Sequence, residues 1–369
     1  MKKFWLWILL WVPAWAQGQI LTDKDAQQTI VSALDHIYNY QFDEAEPLIR
    51  QLRGRYPQHP VAPMLKAIQL QWQYLPLKEN RAATTQYTQY LSQSLELAQK
   101  LLDKDKKDPE GVFFALTAHG YLALKHHYDE EFLKGVGEAK KAYGYLIDGF
   151  KLMERNGEFY FTTGLYNYYV ERYPEDHPIV KPFMVFFQNG NMQQGLRQME
   201  ASVKRGLFTR AEASYYLTII YLKHESQPNR AIQFSRWLID KYPNNPIYRM
   251  RHTEALLLAG RYNEAEPHID QLKKLPLKIL PMAVKVFDGL VLEKDAQNDK
   301  AAAESYQAAI RMPFDIANTR EYLAFAYAGL ARIAARAGDR NQAKTYYKKA
   351  TDIAEYKMIH QEAKAFSKG

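Results

Sequence analysis

Three histidines in one short stretch are the residues of this sequence that most suggest metal binding. His119 and His126 are seven positions apart, and His127 follows directly. Since seven residues make about two helical turns, His119 and His126 would share one helix face. Zinc needs three or four ligands, and no further ligands are evident there in a chain without cysteine. We interpret these residues as structural, near a helix carboxyl terminus whose dipole favours histidine.

An acidic stretch from Asp103 to Glu110 offers carboxylate oxygens of the kind that calcium prefers. Its three interleaved lysines would oppose a divalent cation, and the turn glycine and distal glutamate of a calcium loop are missing. The stretch is typical of a solvated loop between helices.

Motifs with catalytic mechanics are absent from the sequence. It has no His-Glu-x-x-His, no phosphate loop and no Gly-x-Ser-x-Gly elbow. Gly135 and Gly137 lack the third glycine of a dinucleotide site and lie in a helical pattern. Without cysteine there can be no disulfide, thiol nucleophile or lipidated cysteine. The sequence therefore predicts no enzyme, no cofactor and no metal.

Aromatic residues are concentrated between positions 159 and 173. Tyr166, Tyr169 and Tyr173 recur at i, i+3 and i+7, which is one face of a helix. Phe159 and Tyr168 fall elsewhere around it. One interpretation is an inner helix buried on several sides. The other is that the three tyrosines line a ligand surface, because tyrosine buries area at low entropy cost and presents a hydroxyl.

The first residues predict export. Lys2 and Lys3 precede an apolar run from Phe4 to Trp15 that is too short to span a bilayer. We predict a signal peptide over residues 1–16, cleaved after Ala16, with retention as an anchor as the alternative. We therefore expect a periplasmic or secreted location, with no stable membrane insertion after cleavage.

Charge is the weakest clue to a partner. The net charge is +8 over 369 residues, with both signs interspersed. A nucleic-acid binder would concentrate its positive charge in a stripe, so we expect no nucleic-acid partner. The mild positive charge favours an acidic one.

An internal repeat organises the chain. The segment from Glu44 to Leu52 recurs from Glu264 to Leu272, with seven of nine positions identical. Pro47 and Pro267 are expected in the first turn of their helices, where proline is tolerated. Small residues begin related helices, with side chains facing the same way four and seven positions later. These anchors are Ala45, Ala139, Gly195, Ala231, Ala265, Ala302 and Ala343.

This pattern resembles the second helix of the tetratricopeptide repeat, whose period is 34 residues. The resemblance implies an all-α, right-handed superhelical solenoid of antiparallel helix-turn-helix repeats, here seven or eight hairpins. The aromatic middle is also similar to the outer-membrane-protein/tetratricopeptide-39 group. We predict irregular repeats with long helices over 17–156, an aromatic irregular segment over 157–192, and a regular solenoid over 193–369.

The family commonly binds its ligands in the concave groove formed by first helices. Carried over to this sequence, that groove would present Tyr216, Ile220, Lys223, Met250, Glu254, Leu257, Arg332 and Arg336. The resemblance thus implies a scaffold that binds a protein, a peptide or another macromolecule of the cell envelope. A component that binds or processes glycans, with Glu158 or Glu171 beside the tyrosines, is an alternative. So is an outer-membrane assembly factor, although such factors are usually lipid-anchored through a cysteine.

Overall fold

The structure, a computed structural model, describes residues 20–176, 181–182, 184–185, 187–313 and 319–368. The predicted signal peptide lies outside these residues. Within them the chain forms 17 α-helices. Their bounds are α1 Lys24–Tyr38, α2 Phe42–Arg55, α3 Val61–Gln73, α4 Arg81–Lys104, α5 Pro109–Tyr128, α6 Phe132–Leu152, α7 Phe159–Asp176, α8 Met192–Arg205, α9 Arg210–Lys223, α10 Pro228–Lys241, α11 Pro246–Leu258, α12 Tyr262–Leu272, α13 Leu280–Lys294, α14 Asp299–Ile310, α15 Arg320–Arg336, α16 Arg340–Thr351 and α17 Lys357–Lys368.

Successive helices pack as antiparallel pairs. α1 packs on α2, α3 on α4, and so on to α15 on α16, with α17 closing the end. The described part of the chain thus holds eight hairpins and one terminal helix, so the predicted all-α solenoid is confirmed. No helix in the ranges given above combines the length and the apolar character that a membrane crossing requires.

The small anchor residues explain how two helices of a pair approach each other. Five of the predicted anchors have no exposed surface: Ala45, Ala231, Ala265, Ala302 and Ala343. The residues four and seven positions later, such as Ile49 and Leu52, are buried against the adjoining helix. Ala139 is an exception because it is exposed. In α6 the close approach to α5 lies one turn earlier, at Gly135, where a Cβ would lie 3.5 Å from the carbonyl oxygen of Ala123.

The two Tyr-Pro turns have the same geometry, as their sequences predict. Tyr56 ends α2 with φ −129° and ψ 64°, and Tyr242 ends α10 with φ −126° and ψ 66°. The placement of Pro47 and Pro267 was predicted wrongly. α2 and α12 begin at Phe42 and Tyr262, so each proline is the sixth helical residue rather than part of the first turn. Both prolines are exposed, which leaves water to satisfy the carbonyl that loses its partner.

The first helix meets the fifth and sixth hairpins, which curls the chain into a closed turn. The Asn245 side chain donates to the carbonyl oxygen of Tyr38 at 2.8 Å, and the Asn244 amide donates to the Asn39 side chain at 3.0 Å. Two apolar cores, one built mostly from α1–α6 and the other mostly from α7–α17, meet here. Trp72 and Tyr215 pack against both cores.

Candidate functional site

The closed turn of helices encloses a cavity of about 900 Å³. Its walls come mainly from the first helix of each of the first six pairs, α1, α3, α5, α7, α9 and α11. Because α1 contacts the segment after α10, these helices surround a space instead of bordering an open groove. The cavity is therefore a concave feature that arises from the way the described helices close on each other.

Aromatic side chains dominate the lining. Nine tyrosines of the described chain line the cavity: Tyr87, Tyr121, Tyr128, Tyr143, Tyr166, Tyr169, Tyr215, Tyr216 and Tyr248. Trp72 and five phenylalanines, Phe113, Phe114, Phe161, Phe187 and Phe208, join them. Such walls suit a ligand with apolar or aromatic surface, with a few polar groups left to orient it.

Gly120 lies on the cavity wall in the middle of α5. It is exposed, and a Cβ placed there would have no neighbouring atom within 4 Å. Glycine in a helix interior costs about 1 kcal/mol relative to alanine, and packing demands no glycine here. Tyr128, on the same helix, also lines the cavity and is 40% exposed. The cavity thus reaches solvent along α5.

The aromatic segment predicted from the sequence forms α7, and its residues divide between two environments. Phe159 and Tyr168 have no exposed surface and belong to the core. Tyr166 and Tyr169 line the cavity, whereas Tyr173 is 44% exposed and lies outside its lining. Each interpretation of this helix therefore describes some of its residues. Ligand binding by the three tyrosines stays a prediction.

A short segment after α7 is fastened to the cavity wall by two tyrosine hydroxyls. Tyr166 donates to the carbonyl oxygen of Gln188 at 2.6 Å, and the Gln188 amide donates to the Tyr143 hydroxyl at 2.9 Å. The rings of Tyr143 and Phe187 pack with centroids 5.0 Å apart. Tyr166 thus positions a part of the lining as well as contributing to it.

The predicted groove residues of α9 and α11 separate in the same way. Tyr216, Lys223 and Met250 line the cavity. The other three predicted residues of these helices are buried and lie outside the lining. Contrary to the expectation, they do not face an accessible surface; they are Ile220, Glu254 and Leu257. Glu254 accepts hydrogen bonds from Arg251 at 2.8 Å and from the Tyr322 hydroxyl at 3.2 Å. Any role of these residues in binding stays a prediction.

Arg332 and Arg336 lie on α15, away from the cavity lining, and both bind the buried Glu293. Arg332 donates from Nε to Oε1 at 2.8 Å and from Nη2 to Oε2 at 2.6 Å. Arg336 lies 3.0 Å from Glu293 and 2.6 Å from Asp299. Burial would raise the pKa of Glu293, but the hydrogen bonds and charge of Arg332 outweigh it and lower this pKa to about 2. Through these contacts the two arginines hold α13, α14 and α15 together.

The histidines that were interpreted as structural, and Glu158 of the glycan alternative, have partners within the fold. His119 lies 2.6 Å from Glu138, and His126 lies 2.6 Å from Glu131. Glu158 accepts the backbone amides of Leu207 and Thr209 at 2.7 and 2.9 Å, together with other donors at the start of α9. Burial raises the pKa of Glu158, while these hydrogen bonds lower it. Over the described ranges, no cluster of three or more His, Asp or Glu side chains could hold a metal ion.

Glu212 is a cavity residue that the sequence pattern did not single out. It lies on the face of α9 that also carries Tyr215, Tyr216 and Lys223 into the lining. Its Oε1 accepts the Tyr38 hydroxyl, and its Oε2 is shielded from water with no hydrogen-bond partner among the described residues. Burial raises the pKa of Glu212 to about 8. A lone glutamate in an apolar helical run was the available signal.

Fold and cavity together define an all-α helical-repeat protein whose antiparallel hairpins resemble those of tetratricopeptide-repeat solenoids. No protein-family model matches the chain, and no curated protein matches it significantly. Among solved structures it is similar to yeast Tom70, at 15% identity and a TM-score of 0.38 over 94% of this chain and 83% of that one. It is similar to a tetratricopeptide repeat protein from Parabacteroides merdae, at 15% identity and a TM-score of 0.33 over 81% and 98% of the two chains. For human IFIT1 in a dimer with m7Gppp-AAAA, the identity is 12% and the TM-score 0.36 over 89% and 95%.

Proposed function

We propose that this protein is an exported binding scaffold that takes an apolar segment of a protein or peptide partner into its aromatic cavity. The observation that carries the proposal is the cavity of about 900 Å³, enclosed by the first helices of six hairpins. Export is supported by the predicted signal peptide, and a cell-envelope partner is the expectation that follows from it. The function requires binding without a chemical step.

The size and lining of the cavity favour an apolar segment. Its volume is at the upper end of the range for ligand sites, which is about 300–1,000 Å³. The space suits a few side chains or a chain terminus, and a whole folded domain would not enter. A sugar would carry many hydroxyl groups into these walls, and each one left without a partner would cost free energy. A segment rich in leucine or phenylalanine avoids that cost.

Gly120 offers a way to fill the cavity without disturbing the fold. A tryptophan at this position would project into open space, because no atom lies within 4 Å of its Cβ. Gly144, in the middle of α6, is also exposed and without neighbours within 4 Å, and it lies outside the cavity lining. Gly144→Trp is therefore the matched control for Gly120→Trp.

The test selects binding peptides from a randomised octapeptide library displayed on phage, using the protein from residue 17 onward. Selected peptides are synthesised, and their affinities for the wild type and both variants are measured by isothermal titration calorimetry. We expect apolar peptides that bind the wild type and Gly144→Trp equally and bind Gly120→Trp at least ~10-fold more weakly, because the new ring occupies their site.

Peptides that bind Gly120→Trp as tightly as the wild type would place the binding surface elsewhere and refute the proposal. A parallel titration uses the neutral apolar dye N-phenyl-1-naphthylamine. If the dye enters the cavity and no selected peptide does, the cavity serves a small apolar molecule, and the proposed protein or peptide partner is wrong.

A further inference from the structure

We infer that the cavity recognises an alkylammonium group at Glu212, supplied by a lysine side chain on the segment that enters. The inference rests on the proposed function and adds that the partner segment carries a positively charged group. It begins from Glu212, a residue of the cavity wall whose Oε2 is buried without a partner in the described part of the chain. Leaving such an oxygen unsatisfied is unfavourable, so a native structure that retains it calls for an explanation.

Three cationic side chains elsewhere on the wall already have carboxylate partners. Lys125 lies 2.7 Å from Asp129, and Lys223 lies 3.0 Å from both Glu321 and Glu355. Arg251 lies 2.8 Å from Glu254. Glu212 has no such cationic partner among the residues the structure describes. These three cations therefore already have carboxylate partners, whereas a ligand cation would complete a new ion pair with Glu212.

Aromatic rings around Glu212 add to its suitability for a cation. Tyr38, which donates to Glu212, packs its ring edge-on against Trp72 with centroids 5.9 Å apart. Trp72 packs against Tyr248 at 5.3 Å, and Tyr248 against Tyr215 at 5.7 Å. The negative faces of tryptophan and tyrosine attract ammonium groups, and the walls beyond them would pack against the alkyl chain.

Binding of the ammonium would move a proton. Glu212 is mostly protonated at pH 7, because burial raises its pKa to about 8. An ammonium beside it favours the carboxylate, so the carboxyl releases its proton to solvent while the ligand keeps its own. Tyr38, Tyr242 and Tyr248 face Glu212 from α1, from the turn after α10 and from α11. Burial raises the pKa values of Tyr242 and Tyr248 far above neutrality.

The test compares two acetylated pentapeptides. One has a central lysine between phenylalanines, and the other has norleucine in place of that lysine. Octylammonium, octanol and octanoate form a second series. Titration calorimetry in phosphate and in Tris buffer gives both affinities and the number of protons released. We expect the lysine peptide and octylammonium to bind ~10- to 100-fold more tightly than their uncharged counterparts, the gain typical of a charged hydrogen bond. About one proton should be released at pH 7.

Glu212→Gln keeps the shape of the side chain and should abolish both the preference and the proton release. The proton count on the wild type needs no variant, so the test survives if Glu212→Gln folds poorly. Equal binding of lysine and norleucine peptides, both blocked by Gly120→Trp, would overturn the ammonium site and leave the cavity function intact. Preference for octylammonium without peptide binding supports the ammonium site and refutes the macromolecular partner. Absence of all binding refutes the proposed function itself.

Discussion

The Tyr242 hydroxyl donates a hydrogen bond to Oδ1 of Asp35 at 2.9 Å and joins residues that are 207 positions apart. Lys241 lies 2.8 Å from the other carboxylate oxygen of Asp35. Asp35 is on α1, and the two partners end α10 and begin the Tyr-Pro turn. This contact closes the helical turn, so it also determines that the first helices enclose a cavity.

Tyr242→Phe should loosen that closure. It removes one hydrogen bond to a charged acceptor, which we expect to lower the free energy of unfolding by about 1–3 kcal/mol. Hydrogen-exchange mass spectrometry should show that the variant exchanges faster than the wild type in α1 but not in α15, because the lost contact is local to the closure. The control is Tyr346→Phe, because Tyr346 is partly buried and its hydroxyl makes no hydrogen bond among the described residues. Unchanged exchange in α1 would show that the closure does not depend on this contact.

Two glycines that lie inside helices, Gly164 and Gly120, should change the stability of the protein in opposite directions when each is replaced by alanine. At Gly164, on α7, a Cβ would lie 2.8 Å from the carbonyl oxygen of Gly195 and 2.9 Å from the Met199 amide nitrogen. Backbone atoms cannot move aside as a flexible side chain can, so Gly164→Ala should cost about 1–3 kcal/mol. At Gly120 the Cβ meets nothing, and Gly120→Ala should stabilise by up to about 1 kcal/mol.

Urea unfolding of both variants, followed by circular dichroism, measures this difference. A destabilised Gly120→Ala would mean that the glycine is required by the fold of α5. Gly120→Trp would then disturb the fold of α5 as well as fill the cavity.

The repeat pattern of the sequence predicted the fold well because it records contacts within a hairpin. The alanine anchors and the residues that follow them, such as Tyr306 and Tyr347, are buried as expected. The pattern placed Ala139 wrongly, since a run of small residues in α6 leaves the contact face ambiguous and Gly135 lies closer to α5. Local periodicity thus identifies a helix more reliably than it identifies which side packs.

The cavity could be predicted only in part. Tyr216, Lys223 and Met250 follow from the groove of the related repeats, and Tyr166 and Tyr169 from the spacing in α7. Whether the first helices enclose a space depends on contacts such as those between Asp35 and Tyr242, which no local pattern encodes. For the same reason the sequence did not single out Glu212, whose isolation arises from the helices brought around it.

The buried Glu293 predicts how the C-terminal repeats respond to acid. Arg332 and Tyr306 both donate to its carboxylate, and its pKa is about 2 against an ordinary value of 4.5. A lowered pKa means that the folded state holds the proton less tightly than the unfolded state. The resulting stabilisation, about 3 kcal/mol, is present above pH 4.5 and is lost as the pH falls toward 2.

Glu293→Gln removes this charge and leaves the guanidinium of Arg332 buried without its full countercharge. We expect a loss of about 3 kcal/mol or more in the free energy of unfolding at pH 7. The difference from the wild type should shrink to about half by pH 3, because below pH 4.5 the carboxyl group binds a proton in the unfolded wild type but not yet in the folded state. Glu304→Gln, on the exposed side of α14, is the matched control and should change little at either pH. Urea unfolding of the three proteins at pH 7, 5 and 3 measures these differences. A loss that stays constant with pH would show that Glu293 stabilises α15 through its shape and hydrogen bonds rather than through its charge.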